Sequence, residues 1–402
     1  MNRVISGLLL AAVGLAGLRA GAQANFGDDV AFLKQHTGVV VLTRGEAQVA
    51  VIPGYQCRVM TSTAAGLAGA SYGWVNRELI GSGKLQPHIN VFGGEDRFWL
   101  GPEGGQYSIF FKKGSAFDLA HWQTPAPIDS EPYEVVKSAA DTILCRRKIH
   151  LANYSNTVFD LVVTREVTVR DPAVVVKSLG IDLPVEVKAV AFSTISTVRN
   201  TGKSAWTKQG GLLSIWVLGM FNASPRTTVV VPYQPGPPSD KGVVVHDAYF
   251  GKVPSDRLVD DDGALFFKAD ANFRSKIGIP PQRAKSILGS YDAATHTLTL
   301  VTFTLPGNTT DYVNSMWEIQ KEPFGGDVAN AYNDGPPQPG AKQLGQFYEL
   351  ESSSPALALS PGQTATHVQT TIHLQGRPQD LDGVAVAVLG RGIEKINHAF
   401  RK

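Results

Sequence analysis

Short apolar runs rich in Val, Ile and Thr recur from residue 38 to residue 374, and glycine, proline or small polar clusters end nearly every one. The 41 glycines and 24 prolines leave few intervals in which a helix can complete several turns, because glycine loses the most backbone entropy and proline removes a donor. This punctuation predicts an all-β chain: a large antiparallel β-sandwich with few short peripheral helices. Strands are expected over 38–42, 47–52, 58–63, 158–170, 185–197, 212–217, 295–305 and 366–374. In the last of these, Val368, Ile372 and Leu374 fall on one face and His367, Gln369, Thr371 and His373 on the other, which predicts one solvated face. Val301, Phe303 and Leu305 change phase relative to Leu298 and Leu300, which predicts a bulge or a strand buried on both sides. Asp28 is positioned to cap one peripheral helix with Val30 and Leu33 facing inward, and Asp380 or Asp382 to start another.

Arg3, the apolar run over 4–18 and Ala22-Gln23-Ala24 follow the charged, apolar, small order of a secretory signal peptide, with cleavage expected after Ala24. A periplasmic or secreted protein is the implied product. The run is too short for a convincing anchor and no later one is longer, so no integral membrane contact is expected. The proline-rich stretch 232–240 is short enough for a loop, and 25–402 therefore reads as one domain. With 37 basic against 35 acidic side chains, the chain lacks the cationic excess that nucleic-acid binding requires. Cys57 and Cys145 suit one disulfide or two buried thiols, and a count of two does not decide between them.

Nine histidines show no H-x-x-x-H or cysteine-rich spacing, so neither a metal site nor any other cofactor is signalled. His367 and His373 would sit about 20 Å apart along one strand, each as a solvated residue. The acidic run Asp260-Asp261-Asp262 reads as a turn. Gly69-Ala70-Ser71-Tyr72-Gly73 matches G-x-S-x-G, yet no buried strand precedes it and no alternating helices surround it, so it reads as a loop.

Two stretches carry groups suited to a polyhydroxylated ring. In GGEDRFWLGPEGG, over 93–105, Arg97 offers paired donors, Glu95, Asp96 and Glu103 accept, and Trp99 presents a flat apolar face. The flanking glycine pairs would let backbone approach a ligand closely. The plainer alternative is a tight turn in which Asp96 and Arg97 pair with each other. The second stretch holds Trp317, Glu318, Glu322, Asp327, Asn330, Tyr332, Asn333 and Asp334, a mix of acids, amides and aromatics expected of a functional loop. Glu349 and Glu351, two apart on an expected strand, share a face from which one could reach a cleft. His88 is the histidine nearest the first loop; if 86–92 is a strand, it points with Asn90 towards the end where Glu95 lies.

The runs VVVLTRGEAQVAVIPGYQCRVMTST, HINVFGGEDRFWLGPEGG, GLLSIWVLGMF, FRSKIGIPPQRAKSILGSYD, EPFGGDVANAYNDGPP and FYELESSSPALALSPGQT resemble an uncharacterised family of exported bacterial proteins, over nearly all of the chain beyond residue 24. That family in turn resembles the galactose-mutarotase-like superfamily, which includes the aldose 1-epimerases and domains of polysaccharide lyases and glycosidases. The resemblance implies a β-supersandwich. It also implies a glutamate that takes the anomeric hydroxyl proton and a histidine that protonates the ring oxygen. By that resemblance His88 is the acid, Glu322 the base and Glu351 its reserve, with Arg97, Trp99, Glu103 and Asp327 holding the ring. The epimerase signature of a histidine directly before a glycine pair is not reproduced, since four residues separate His88 from Gly93. The leading expectation is an epimerase-like periplasmic protein acting on a sugar without a cofactor. The alternatives are a glycoside hydrolase or lyase on oligosaccharides and a carbohydrate-binding protein without turnover.

Overall fold

The computed structural model describes residues 25–338 and 340–401. The signal peptide expected over residues 1–24 lies outside the described residues. Antiparallel sheets dominate, with seven short helices among the described residues. The largest sheet has ten strands, running in order from Leu258–Asp260 at one edge through Thr364–Gln375, Lys188–Asn200 and Val158–Arg170 to Glu134–Ser138 at the other. A five-stranded sheet packs against it, ordered Ser275–Ile279, Ala329–Asn333, Phe347–Ser353, Ser214–Asn222 and Arg97–Gly101. A three-stranded sheet of Val40–Arg44, Ala47–Ile52 and Arg58–Thr63 completes the set.

Period-two alternation decides which side chains fill the space between sheets. Phe98, Leu100, Ile215 and Val217 from the five-stranded sheet meet Phe159, Leu161, Val163, Phe192 and Val198 from the large one. On the outer face of the large sheet, Val230, Phe266, Leu298, Leu300 and Leu374 are covered by Leu381, Val384, Ala385 and Leu389 of the helix Pro378–Leu389. Thr297–Phe303 is thereby buried on both faces in continuous register, which explains its phase change without a bulge. The first helix, Phe26–His36, is capped by Asn25 rather than Asp28, with Val30 and Leu33 buried as expected. Residues 185–187 are outside the strand, which begins at Lys188. Cys57 and Cys145 are both buried and free.

One expectation is inverted. The polar face of Thr364–Gln375 points not to solvent but into the layer between the sheets, and His367 and His373 are both 1% exposed. His367 bonds Ser352 at 2.8 Å, Gln369 donates to Asp96 at 3.4 Å, and His373 reaches Glu95 at 2.8 Å and Thr299 at 2.9 Å. Burial strips water from the His367 ring and pushes its pKa down to about 4. His367, Gln369 and His373 are tolerated there because each finds a partner across the layer, whereas the buried Thr371 hydroxyl has none.

At the centre of this layer, Asp96 forms an ion pair with Arg165, and both side chains are fully buried. Thr194 also donates to Asp96 at 2.8 Å, so Asp96 ties the five-stranded sheet to three adjacent strands of the large one. Removing one partner leaves an uncompensated buried charge. Asp96→Asn should therefore lower unfolding free energy by about 3–5 kcal/mol, read as a reduced urea midpoint at unchanged m. Asp96→Leu combined with Arg165→Met should lose less than either single change.

Candidate active site

The register of the five-stranded sheet gathers the chemistry. Lys276 pairs across strands with Tyr332, Tyr332 with Glu349, and Glu349 with Met220. One step along, Asn330 pairs with Glu351, Glu351 with Leu218, and Leu218 with Arg97, followed by Trp216 with Trp99. Every second residue emerges on the face turned away from the large sheet. These side chains form the floor of a cavity of about 540 Å³. Loops wall it with Trp122, Glu103, Trp317, Tyr249 and Phe250.

Charge on the floor is crowded and paired. Arg97 donates to Glu349 at 3.1 Å while its guanidinium lies 4.3 Å from the Trp99 ring. Lys276 donates to both oxygens of Glu351 at 3.0 and 2.8 Å, and the Trp216 indole donates to the same carboxylate at 3.0 Å. Burial pushes the Glu349 carboxyl up to about 8; Arg97 opposes the shift and the neighbouring Glu351 reinforces it. Glu103 is also raised by burial, against Lys276 and a hydrogen bond from Trp317. Asp327 accepts from solvent-facing His246 at 2.9 Å and from Tyr249, and this bond raises the His246 pKa. Tyr332 donates to Asp334 at 2.7 Å; burial raises both groups, most strongly the phenol.

The two stretches singled out in sequence, far apart along the chain, converge here. Arg97, Trp99, Glu103, Trp317, Asp327, Asn330, Tyr332 and Asp334 all line the cavity. Glu351 sits against the floor, held by Lys276 and Trp216. Neither stretch is a plain loop, for each contains a strand of the floor: Arg97–Gly101 in the first and Ala329–Asn333 in the second. The glycine pairs serve packing within the protein. A Cβ on Gly93, at φ 94°, would lie 2.0 Å from the Trp74 carbonyl, and one on Gly104 would lie 2.3 Å from that of Met316. The second contact lets the Glu103 loop lie directly on the Trp317 loop.

Four expected site residues stand elsewhere. Alternation sends Asp96 inward to Arg165, and the turn at Gly93-Gly94 carries Glu95 to Ser62 and His373 between the sheets. Both carboxylates are fully buried and belong to the core. His88 is exposed, lies outside any strand, and has Nδ1 2.6 Å from the Trp122 carbonyl oxygen. Glu322 is exposed. Neither His88 nor Glu322 is among the residues that line the cavity. Sequence reading missed Lys276, Trp216, Trp122, Tyr249 and His246. The signal for two of these was present, since Trp216, Leu218 and Met220 alternate, as do Arg274 and Lys276; only strand alignment shows that they share a face with Glu349. Among the described residues no three His, Cys, Asp or Glu side chains are grouped to hold a metal ion, and no helix is long and apolar enough to cross a membrane.

A family model covers residues 24–400 of the chain. The chain belongs to DUF6786, a family of unknown function. No curated protein matches this DUF6786 member in sequence. Among solved structures it is similar to a candidate aldose 1-epimerase from Escherichia coli K12, at 11% identity and TM-score 0.52, covering 84% of this chain and 98% of that one. A galactose mutarotase-like protein from Lactobacillus casei ATCC 334 is similar at 9% identity and TM-score 0.48, with 84% and 100% covered. The fold is thus galactose-mutarotase-like, as the sequence resemblance implied.

Glu349 gives the DUF6786 cavity a measurable pH signature. An unfolded chain releases this proton near the ordinary value of 4.5, whereas the folded one holds it to about 8. Between those values the folded state binds more protons, so its stability falls as pH rises through the window. Urea midpoints of wild type should drop from pH 5 to pH 8 more steeply than those of Glu349→Gln.

Proposed function

We propose that this chain is an exported carbohydrate-active protein that interconverts the anomers of a sugar ring by general acid/base chemistry. The observation that carries the reading is the strand register that brings Arg97, Lys276, Glu349 and the tryptophans Trp99 and Trp216 onto the floor of one cavity, with Trp122 and Trp317 beside them. Sugars combine hydroxyls with apolar C–H faces, and the cavity supplies charged hydrogen-bonding groups beside flat rings. The fold shared with the candidate aldose 1-epimerase supports a carbohydrate role.

In this reading Glu349 reaches the ring from the sheet and, holding its proton at neutral pH, donates it to the ring oxygen. Glu103 reaches the ring from the loop wall. Its raised proton affinity suits it to take the anomeric hydroxyl proton. The C1–O bond to the ring oxygen then breaks, the aldehyde rotates, and reclosure from the other face returns both protons. Arg97 and Lys276 hold hydroxyls and keep Glu349 and Glu351 in place. The export segment expected over residues 1–24 belongs to this proposal as well.

Paired carboxyls on a cavity also serve glycoside hydrolysis, which makes that the second reading. Proton NMR of freshly dissolved aldoses with catalytic amounts of protein should show anomers equilibrating faster than in buffer. Glu349→Gln or Glu103→Gln should slow this by roughly a hundredfold or more. Equilibration at the buffer rate across a panel of hexoses and pentoses would remove the epimerase reading, while new masses from oligosaccharides would establish the hydrolase.

A further inference from the structure

The floor of the cavity is far wider than one sugar ring, and its indoles gather towards one end. From the strand Ser275–Ile279 at one edge of the sheet to Arg97–Gly101 at the other there are four inter-strand steps, about 19 Å at ordinary spacing. A single pyranose spans little more than one such step. At the first edge stand Lys276, Asn330 and Tyr332, beside the Glu349 carboxyl. At the other edge Arg97 stands among indoles, its guanidinium 4.3 Å from the Trp99 ring. Trp99 meets Trp216 edge-on at 5.5 Å, and Trp122 stacks with Trp317 at 5.9 Å and 26°. Trp317 is half-buried, so part of its ring remains available to a ligand.

Resting on the carbohydrate reading above, we propose that the substrate is a reducing disaccharide or longer glycan. Its reducing ring lies over the charged side of the floor, within reach of Glu349 and Glu103. The next ring lays its C–H face against the indoles around Trp317. Two properties of the cavity point to this arrangement: its lining draws on all five strands of the sheet, and beside the strand Arg97–Gly101 it gathers aromatic surface that stacks on a ring. A flat aglycone would satisfy the same wall, and the test separates it.

Calorimetric titration of the full chain with glucose, galactose, cellobiose, lactose, maltose and p-nitrophenyl glucoside distinguishes the cases. At least one disaccharide should bind ten times more tightly than its parent monosaccharide. Trp317→Ala should weaken that disaccharide about three- to tenfold and the monosaccharide by less, with an unchanged far-ultraviolet circular dichroism spectrum showing that the variant is folded. Trp317→Phe should keep most of the disaccharide preference, because it retains a flat ring. Equal affinity for monosaccharides and disaccharides, or equal weakening of both by Trp317→Ala, overturns this inference and leaves the sugar reading standing. Preference for the aryl glucoside over every disaccharide overturns it in favour of an aglycone. Silence with every sugar removes both readings together.

Discussion

The one-residue alternation at the start of the strand Arg97–Gly101 sets up everything else. Asp96 and Arg97 are neighbours along the chain and go to opposite faces. Asp96 passes inward to a fully buried pairing with Arg165, and Arg97 passes outward to Glu349. A slip of one residue would put a carboxylate in the cavity and a guanidinium in the core without their partners. The inward ion pair therefore holds the register from which the cavity is built. Its depth gives it that authority, since an unpaired charge there would cost several kcal/mol.

The cavity floor works under a related constraint. Glu103, Glu349 and Glu351 crowd around two cations in partly dry surroundings, and desolvation raises the proton affinity of Glu103 and Glu349. Lys276 and Trp216 hold Glu351 in a charge-assisted arrangement, while burial raises the proton affinity of Glu349. Separating proton affinities among adjacent carboxyls is the usual physical route to an acid and a base from one residue type. Beside them the indoles provide contact area with little rotamer entropy to lose. The division between a charged floor and an aromatic wall follows from which strands lie next to which.

Much of the architecture was legible because it depends on local rules. Glycine and proline placement marked the strand ends, and the strands expected over 47–52, 58–63 and 158–170 match the observed ones to the residue. The phase change in Thr297–Phe303 correctly signalled burial on both faces. The polar stripe of Thr364–Gln375 misled for a physical reason: alternation reports that two faces differ, not which one meets water. Here the apolar face is met by a helix and loops, while the polar one finds partners from Glu95, Asp96 and Ser352. His88 misled similarly, because proximity in sequence to a charged segment says nothing about direction once the intervening residues are not a strand.

By itself the amino-acid sequence determined the all-β class, the identity of about half of the 18 strands and two of the chain segments that line the cavity, since each follows from spacing within a few residues. Which acids act together was decided only by tertiary structure. Glu349 meets Arg97 across 252 residues of chain, and Lys276 meets Glu351 across 75. Those partnerships arise from strand order and register, and both are fixed by burial of the opposite face against the large sheet. Local propensity carries no information about which strands become neighbours, and the proton affinity of a carboxyl depends on those neighbours and on the water they exclude.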